Sequence, residues 1–263
     1  MSLLDLRKSA PDLLLGLSLV ALSLGVYGSL LTGFFSGTDT FSLIETGRVQ
    51  TLRDLAQILG RPLMAGTGFT SIARYYRPVS SLSFGADYSI WGLEPAGFFL
   101  TNLLLHAANT LMLFYLLRVQ GRLRLFPAWL GAAIFLVHPV MVDVVPVISR
   151  RQDMLALFLG LLALTAYRQK IRRMPRGQVL GMLSVGLFAL AVLAKEIAAV
   201  FLILIPAGRW LFLPGDSRPT RRDFRQAVRD ALPYAGALAL LLALRMVVLG
   251  GMGGELSHGG IAQ

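Results

Sequence analysis

Repeated apolar runs, each about as long as a membrane crossing, constrain this sequence more than any other feature. A helix needs about 20 apolar residues to cross the roughly 30 Å hydrocarbon layer of a bilayer. We therefore expect an all-α, polytopic membrane protein with about seven transmembrane helices, forming a single transmembrane domain over residues 1–263. The candidate spans are residues 11–32, 96–117, 126–142, 153–168, 178–194, 197–213 and 231–250.

Composition agrees with a membrane environment. Mean hydropathy is +0.66 and only 15% of residues are charged, whereas a soluble domain carries about 25%. The net charge of +11 sits in short loops between apolar runs, which favours anionic membrane lipids over nucleic acid as partners. The chain has no cysteine, which excludes disulfides and thiolate metal sites and leaves the redox compartment open.

Basic residues in alternate loops predict the orientation. Lysine and arginine collect in cytoplasmic loops, so we expect a cytoplasmic N-terminus and, as the location, a bacterial inner membrane. The first apolar run is too long for a signal peptide and lacks a small-residue cleavage site, so we interpret it as a retained anchor. The basic loop residues are Arg118, Arg122, Arg124, Arg168, Lys170, Arg172, Arg173, Arg176, Arg209, Arg218, Arg221, Arg222, Arg225 and Arg229.

The first outer loop, residues 33–95, is too long for a simple connection. Loops of this length usually carry function or secondary structure of their own. Its central segment, TLRDLAQIL at residues 51–59, places four aliphatic side chains on one helical face. This pattern predicts a short amphipathic helix lying at the membrane surface.

Charged residues on the outer side are the first candidates for function, because the orientation rule does not account for them. His138-Pro139 ends one apolar run, and Arg150-Arg151 opens the next. We therefore expect the charged side chains between these runs to meet at one membrane–water boundary. The candidates are Asp39, Arg77, Asp87, His138, Asp143, Arg150, Arg151, Asp153, Lys195 and Glu196.

Three blocks of the sequence carry a resemblance to a known family. They read YYRPVSSLSFGADYSIWGLEPAGFFLTNLLLHAANTLMLFYLL (75–117), FLVHPVMVDVVPVISRRQDMLALFLGLLAL (135–164) and LAKEIAAVFLILIP (193–206). Over about residues 30–210, this pattern resembles the membrane domain of the transmembrane and tetratricopeptide-repeat protein O-mannosyltransferase family, part of the GT-C superfamily of glycosyltransferases. The chain would then be the N-terminal part of a longer GT-C-like module.

The resemblance implies transfer of a sugar from a polyprenyl-phosphate donor to a protein or glycan acceptor on the outer face of the membrane. It implies that Asp39, in Gly37-Thr38-Asp39-Thr40, is the general base. Family members often have two adjacent acidic residues at this point, whereas here the next acid is Glu45. The alternative is that Asp39 caps a helix or stabilises a turn.

The remaining candidates suit a donor that carries phosphate. Arginine forks bind phosphate well, so Arg150 and Arg151 are expected to hold it together with Lys195. Asp143 and Asp153 are expected to orient these three residues. His138, Pro139, Asp143, Arg151 and Asp153 match the family's pattern. Alternatively, the two arginines snorkel or pair with these two aspartates.

Two further groups complete the predicted binding site. The resemblance implies that Lys195 contacts the phosphate and that Glu196 holds it in place; the alternative is a tight hairpin with a charged tip. Arg77 and Asp87 are expected to form a structural pair or to shape the rim of the site.

Other residues and motifs narrow the chemistry. His106 and Asn109 share a helical face within one span, which favours hydrogen bonds between helices over catalysis. The three histidines are far apart in the sequence, which argues against a histidine metal site. The sequence offers no support for a divalent ion, and the cofactor stays undetermined. Motifs of ATP binding, serine hydrolysis and zinc proteolysis are missing.

Two alternative functions stay open at the level of the sequence. One is a non-catalytic membrane scaffold or accessory subunit that keeps the helix packing of a GT-C enzyme and works with other membrane subunits. The other is a small-molecule transporter, which would predict inverted repeats and interrupted helices at the membrane midplane. Neither feature is evident in the sequence.

Overall fold

The structure is a computed structural model. It describes residues 3–35, 37, 39–68, 73–172, 177–211, 220–251 and 254–255. Three of the loop arginines used to predict the orientation, Arg173, Arg176 and Arg218, lie outside these ranges.

The described residues are overwhelmingly α-helical, which confirms the predicted fold class. Short 3₁₀ helices occupy Gly28–Thr32, Ile148–Arg150 and Glu196–Val200, and a π-helical turn occupies Leu116–Gln120. The eleven α-helices of the described ranges are α1 (Leu3–Tyr27), α2 (Thr40–Gly47), α3 (Leu52–Gly60), α4 (Pro78–Trp91), α5 (Pro95–Tyr115), α6 (Leu125–Val137), α7 (Val140–Val144), α8 (Arg151–Arg172), α9 (Gly177–Ala194), α10 (Phe201–Leu211) and α11 (Arg221–Leu249). Two-residue strands at Ala73–Arg74 and Gly254–Glu255 pair antiparallel.

Five helical stretches of the described chain are long and apolar enough to cross a membrane, which confirms a multi-pass membrane protein. The other two predicted spans correspond to shorter helices, α6 with 13 residues and α10 with 11. At 1.5 Å per residue, α6 is about 20 Å long, less than the hydrocarbon thickness. The predicted count of seven crossings therefore stays a prediction. The five long stretches are Ala10–Thr32, Pro95–Val119, Ile148–Ile171, Gly177–Ala194 and Arg221–Leu249.

The two ends of the helix bundle differ in their contacts. At the end where α1 begins, here called the basic end, Arg118 Nε donates to Asp12 Oδ1 at 2.7 Å. The end that carries residues 33–94 is called the loop end. There Ser80 Oγ in α4 donates to the carbonyl oxygen of Ala194, the last residue of α9, at 2.8 Å. The chain returns to the loop end after α1, α6, α9 and α11.

Both short helices connect these two ends. The carbonyl of Leu136, near the end of α6, accepts a hydrogen bond at 3.1 Å from the hydroxyl of Tyr27, the last residue of α1. The helix α10 begins beside the loop end, whereas the carbonyl of Gly208 accepts from Arg168 Nη1 at 2.7 Å close to the basic end. The helix α6 stops at His138 because Pro139 disfavours helical backbone in the residue before it.

The described part of residues 33–95 contains three α-helices rather than the one predicted. The amphipathic helix is confirmed as α3, which starts with a capping box between Thr51 and Asp54. Ile58 is buried, whereas Leu52 is 86% exposed. The location of α3 at the membrane surface stays a prediction. The segment before it forms α2, and α4 begins with Pro78 at its first position, where proline favours helix initiation.

Polar contacts inside the bundle join α5 to its neighbours. His106 Nε2 hydrogen-bonds the carbonyl of Leu136 at 3.0 Å, and Asn109 Nδ2 donates to the carbonyl of Met154 at 2.9 Å. Both side chains are fully buried. The predicted hydrogen bonding between helices is therefore confirmed for both residues.

Candidate functional site

Charged side chains from four parts of the chain meet at the loop end. They come from the residue before α4, the first turn of α8, the residues after α9 and the last turns of α11. We call this group the charged cluster. Its charged members are Arg77, Asp153, Lys195, Glu196 and Arg245, and the neutral amide of Gln152 lies among them.

One carboxylate lies between two guanidinium groups in this cluster. Arg77 donates from Nε and Nη2 to Glu196 Oε2, at 2.9 and 2.8 Å. Arg245 Nη1 lies 2.8 Å from Glu196 Oε1. Arg77 Nη1 also donates to Gln152 Oε1 at 2.9 Å. The three charged groups together carry one net positive charge, which an anion bound beside them would neutralise.

Lys195 belongs to a second pair in the same cluster. Its Nζ lies 2.6 Å from Asp153 Oδ1, and the two side chains are 23% and 26% exposed. Asp153 Oδ2 is buried and has no hydrogen-bond partner. The sequence had predicted that Glu196 holds Lys195. Instead Asp153 holds the lysine, and Glu196 holds the two arginines.

Arg151 lies deeper than predicted and points into the bundle. Its side chain is 0% exposed and pairs with Asp87 at 2.6 Å. It also donates to Asn102 Oδ1 at 2.8 Å and to the carbonyl of Phe98 at 3.0 Å. Protein groups surround the guanidinium on all sides, which does not favour contact between Arg151 and donor phosphate. That contact stays a prediction. A role in holding α4, α5 and α8 together fits better.

The partner of Arg151, Asp87, is also buried. Burial raises the pKa of Asp87, while the charge of Arg151 and the hydrogen bond from Thr101 oppose that rise. The expected pair of Arg77 with Asp87 does not form, since each of the two has a different partner.

Helix geometry explains why Arg151 and Asp153 separate. Residues two apart on a helix point to different faces. Arg151, at the start of α8, faces α5, whereas Asp153 faces Lys195 at the end of α9. Of the three cations that Asp153 was expected to orient, Arg150, Arg151 and Lys195, it pairs with Lys195, and its role beside a phosphate stays a prediction.

Three predicted residues lie at the loop end with exposed side chains: His138, Asp143 and Arg150. His138 Nδ1 accepts from the backbone N–H of Val140 at 3.2 Å, which fixes the ring at the start of α7. Among the described residues, neither Asp143 nor Arg150 forms an ion pair, so the expected pairing between them is not seen. Arg150 is therefore an exposed cation without an ion-pair partner among the described residues, and it lies three residues before Asp153 of the charged cluster.

Asp39 immediately precedes α2. Its side chain is half-buried and makes no capping hydrogen bond, although its backbone carbonyl accepts from the N–H of Leu43 at 3.0 Å. Helix capping therefore does not explain this carboxylate. The helix α2 packs against the 3₁₀ helix Ile148–Arg150, so the segment carrying Asp39 and the one carrying Arg150 are neighbours.

A polar cavity of about 280 Å³ lies between α2, α3 and residues 61–65. Glu45 and Thr46 of α2 line it, together with Arg48 and Arg61. At 1.5 Å per residue, Glu45 is about 9 Å along the helix from Asp39. A hydrophilic cavity thus lies about 9 Å along α2 from the predicted base, which does not itself line the cavity. Among the described residues, no three histidine or acidic side chains converge as metal ligands would.

Sequence reasoning missed Arg245. The residue lies within the last predicted span, and an ionisable side chain inside a span is itself a signal of function. Arg245 carries this signal in the sequence, because apolar residues surround it on both sides.

Known proteins with a similar sequence are protein O-mannosyl-transferases by name. The protein O-mannosyl-transferase Tmtc1 of Drosophila melanogaster is 30% identical over 193 residues, which is 70% of this chain and 21% of the fly protein. The human protein O-mannosyl-transferase TMTC1 is 29% identical over 151 residues, 55% of this chain and 17% of its own. The human protein O-mannosyl-transferase TMTC4 is 31% identical over 155 residues, which is 49% of this chain and 21% of the human protein.

The chain resembles the protein O-mannosyl-transferases. The resemblance predicted from the three sequence blocks is confirmed by these relatives. The chain spans about a fifth of the length of the curated relatives it matches. No family model matches it, and no solved structure does. The predicted bacterial inner membrane stays a prediction, since the relatives named here are animal proteins.

Proposed function

We propose that this chain forms part of a membrane glycosyltransferase that moves a sugar from a polyprenyl-phosphate donor to a hydroxyl group of a protein or glycan acceptor. The observation that carries the proposal is the charged cluster at the loop end, where a net positive group of side chains meets the ends of membrane-spanning helices. The likeness to protein O-mannosyl-transferases supports it. The loop end faces the outside of the membrane, and the N-terminus is cytoplasmic.

In the proposed reaction, Asp39 acts on the acceptor. Its carboxylate accepts the proton of the acceptor hydroxyl while that oxygen forms a bond to the anomeric carbon of the sugar. The bond between the anomeric carbon and the phosphate oxygen breaks at the same time, and polyprenyl phosphate leaves with the electron pair. The missing capping bond of Asp39 and the polar cavity along α2 support this role.

Cationic side chains stabilise the leaving phosphate. Arg150 is exposed at the loop end, and Arg77 and Lys195 lie in the charged cluster. An arginine fork and an ammonium group both stabilise phosphate oxygens through charge-assisted hydrogen bonds. In this proposal His138 and Asp143 form the outer edge of the site, and Arg151 positions Arg150 from inside the bundle.

Replacing Asp39 with asparagine tests the proposal. The test uses the full-length protein in proteoliposomes with a radiolabelled polyprenyl-phosphate sugar and acceptor peptides. Asp39→Asn should lower the rate of sugar transfer by about 100-fold or more, the usual contribution of a general base. Glu94→Gln is the matched control, because Glu94, like Asp39, is a loop-end acid that directly precedes a helix and makes no capping hydrogen bond. Equal transfer rates for Asp39→Asn and Glu94→Gln would exclude Asp39 as the base.

A non-catalytic accessory subunit is the second candidate function, with other membrane subunits as partners. The pairing of Arg151 with protein groups alone favours it, since a predicted ligand residue then serves structure. It predicts that the chain copurifies with a larger membrane complex and that Asp39→Asn leaves the activity of that complex unchanged.

A further inference from the structure

The polar cavity between α2, α3 and residues 61–65 has walls in which positive and negative charges balance. Its charged lining residues are Glu45, Arg48, Asp54 and Arg61. A bound anion would lie beside two carboxylates, and a bound cation beside two guanidinium groups. A neutral ligand that both donates and accepts hydrogen bonds therefore suits this lining best.

Three side chains of the lining are available to such a ligand. Among the described residues, the Glu45 carboxylate forms no ion pair and accepts no hydrogen bond, and it does not pair with Arg48 one turn further along α2. The Arg48 guanidinium instead lies over the ring of Tyr88, 4.3 Å from its centroid. The side chain of Gln50 is exposed. A carboxylate accepts, a guanidinium donates and an amide does both, so the wall provides both partners that a hydroxyl group needs.

The walls of the cavity are held in place by their own hydrogen bonds. Asp54 Oδ2 accepts from the backbone N–H groups of Gln50 and Thr51, at 2.9 and 2.8 Å. On the other side, Met64 has a φ of 56°, which is uncommon for a residue other than glycine. The Met64 carbonyl accepts from both the N–H and the hydroxyl of Thr67, at 3.2 and 2.8 Å. A cavity that is formed before its ligand arrives loses less entropy on binding.

The cavity lies near the predicted base and near the charged cluster, yet contains neither. Glu45 is about 9 Å along α2 from Asp39. Ser81, which also lines the cavity, follows Arg77 by one turn and donates its N–H to the Arg77 carbonyl at 3.1 Å. The reacting hydroxyl of an acceptor must lie within hydrogen-bond reach of the base. A group bound in the cavity is therefore a neighbour of the group that reacts.

We propose that this cavity binds a neutral sugar ring of an oligosaccharide acceptor, next to the ring whose hydroxyl reaches Asp39. The assignment rests on the proposed function and narrows its acceptor to a glycan of at least two sugar residues. Glu45 and Gln50 bind hydroxyl groups of the ring. The volume of about 280 Å³ is close to the lower end of small-molecule sites, about 300 Å³. A peptide fits less well, since peptides bind at sheet edges or in apolar grooves.

The test measures binding of the full-length protein in nanodiscs to an array of short, neutral, immobilised oligosaccharides. Glu45→Ala should weaken binding to the recognised oligosaccharide about tenfold, because a charge-assisted hydrogen bond to a hydroxyl is lost. Gln50→Ala removes only a neutral partner and should give a smaller loss. Glu94→Ala is the control, since Glu94 is an exposed loop-end acid outside the cavity.

A second variant tests the cavity without removing any hydrogen-bonding group. Ala65 lines the cavity, and Ala65→Phe should fill part of it and weaken binding of the oligosaccharide about as much as Glu45→Ala does. Wild-type affinity in both variants, or no oligosaccharide bound on the array, would overturn the assignment.

Two further arms distinguish other occupants of the cavity. A serine- and threonine-rich peptide that binds the wild-type protein and is lost in Glu45→Ala and Ala65→Phe would overturn the assignment in favour of a peptide site. Competition between a polyprenyl-phosphate hexose and the oligosaccharide would overturn it in favour of the donor sugar. Binding of the oligosaccharide that the donor leaves unchanged supports an acceptor site.

This experiment separates the inference from the proposed function, because binding needs no sugar transfer. A protein that binds an oligosaccharide through Glu45 but transfers sugar equally well after Asp39→Asn would retain the glycan site and lose the catalytic proposal. A protein whose sugar transfer depends on Asp39 but whose oligosaccharide binding ignores Glu45 and Ala65 would lose only the glycan site.

Discussion

Arg151 is the clearest case in which one side chain organises this protein. A fully buried guanidinium is costly unless its donors and its charge are satisfied. Here Asp87 supplies the charge, and Asn102 and the carbonyl of Phe98 accept further hydrogen bonds. The ring of Phe84 also lies 4.9 Å from its central carbon. Through these contacts Arg151 joins α4, α5 and α8 beside the charged cluster.

Removing Arg151 alone should strongly destabilise the protein. Arg151→Leu leaves Asp87 as a buried acid without a partner, and breaking a buried pair in this way costs about 3–5 kcal/mol. The measurement is the midpoint of thermal unfolding in detergent. The double variant Arg151→Leu/Asp87→Leu should recover most of the loss, since both charges are then gone.

Arg150→Leu is the matched control for this prediction. Arg150 precedes Arg151 directly but is exposed, so its replacement should leave the midpoint of unfolding unchanged. Equal destabilisation by Arg150→Leu and Arg151→Leu would contradict the structural role assigned to Arg151.

The sequence predicted which charged residues gather at the loop end better than it predicted the pairs that they form. Lys195, Glu196, Asp153 and Arg77 do gather at one end, because ionisable groups next to apolar runs need a shared polar environment. Their pairing depends on helix rotation and on contacts between distant parts of the chain. The ion pair between Glu196 and Arg245 is such a contact, and no local pattern encodes it.

At the scale of elements, strongly periodic segments were predictable and weakly patterned ones were not. The helix α3 has a clear apolar face and a capping box. By contrast, α2 has only eight residues, and the 14-residue α4 buries small and polar side chains such as Ser80 and Ser81. Gly85 of α4 lies against the backbone of Gly47 in α2, so this packing depends on close backbone approach rather than on hydrophobic periodicity.

The helix α3 should lie at the membrane surface. Leu52 is 86% exposed and Leu59 is 47% exposed, and both belong to the predicted apolar face. A tryptophan at position 52 should be quenched by lipids brominated near the headgroup, because an amphipathic helix inserts its apolar face to shallow depth. A tryptophan at position 53, where the exposed Arg53 points elsewhere on the helix, should be quenched much less. Equal quenching at both positions would contradict a surface-bound α3.

At the scale of the whole molecule, the multi-pass fold follows directly from the apolar runs, whereas the number of crossings depends on α6 and α10. Both helices are shorter than a usual span, yet their ends contact opposite ends of the bundle. Hydropathy alone cannot distinguish a short crossing from a helix that is buried among others. The contacts between helices supply that information.

Single cysteines can test these two crossings, because the chain has no cysteine of its own. Arg122→Cys and Thr220→Cys should react with a membrane-impermeant maleimide only from the cytoplasmic side. Asp143→Cys should react only from the opposite side, as should Gln50→Cys. These positions have exposed side chains. Labelling of Arg122→Cys and Asp143→Cys from the same side would show that α6 does not cross.

The central claim is that the charged loop end holds the phosphate of a lipid-linked sugar. An experimental structure of the full-length protein in nanodiscs, loaded with a polyprenyl-phosphate sugar, tests this claim most directly. We predict density for the phosphate within hydrogen-bonding distance of Lys195 or Arg150, in front of Arg77 and Arg245. Phosphate density at the basic end, beside Arg118 or Arg168, would contradict the account.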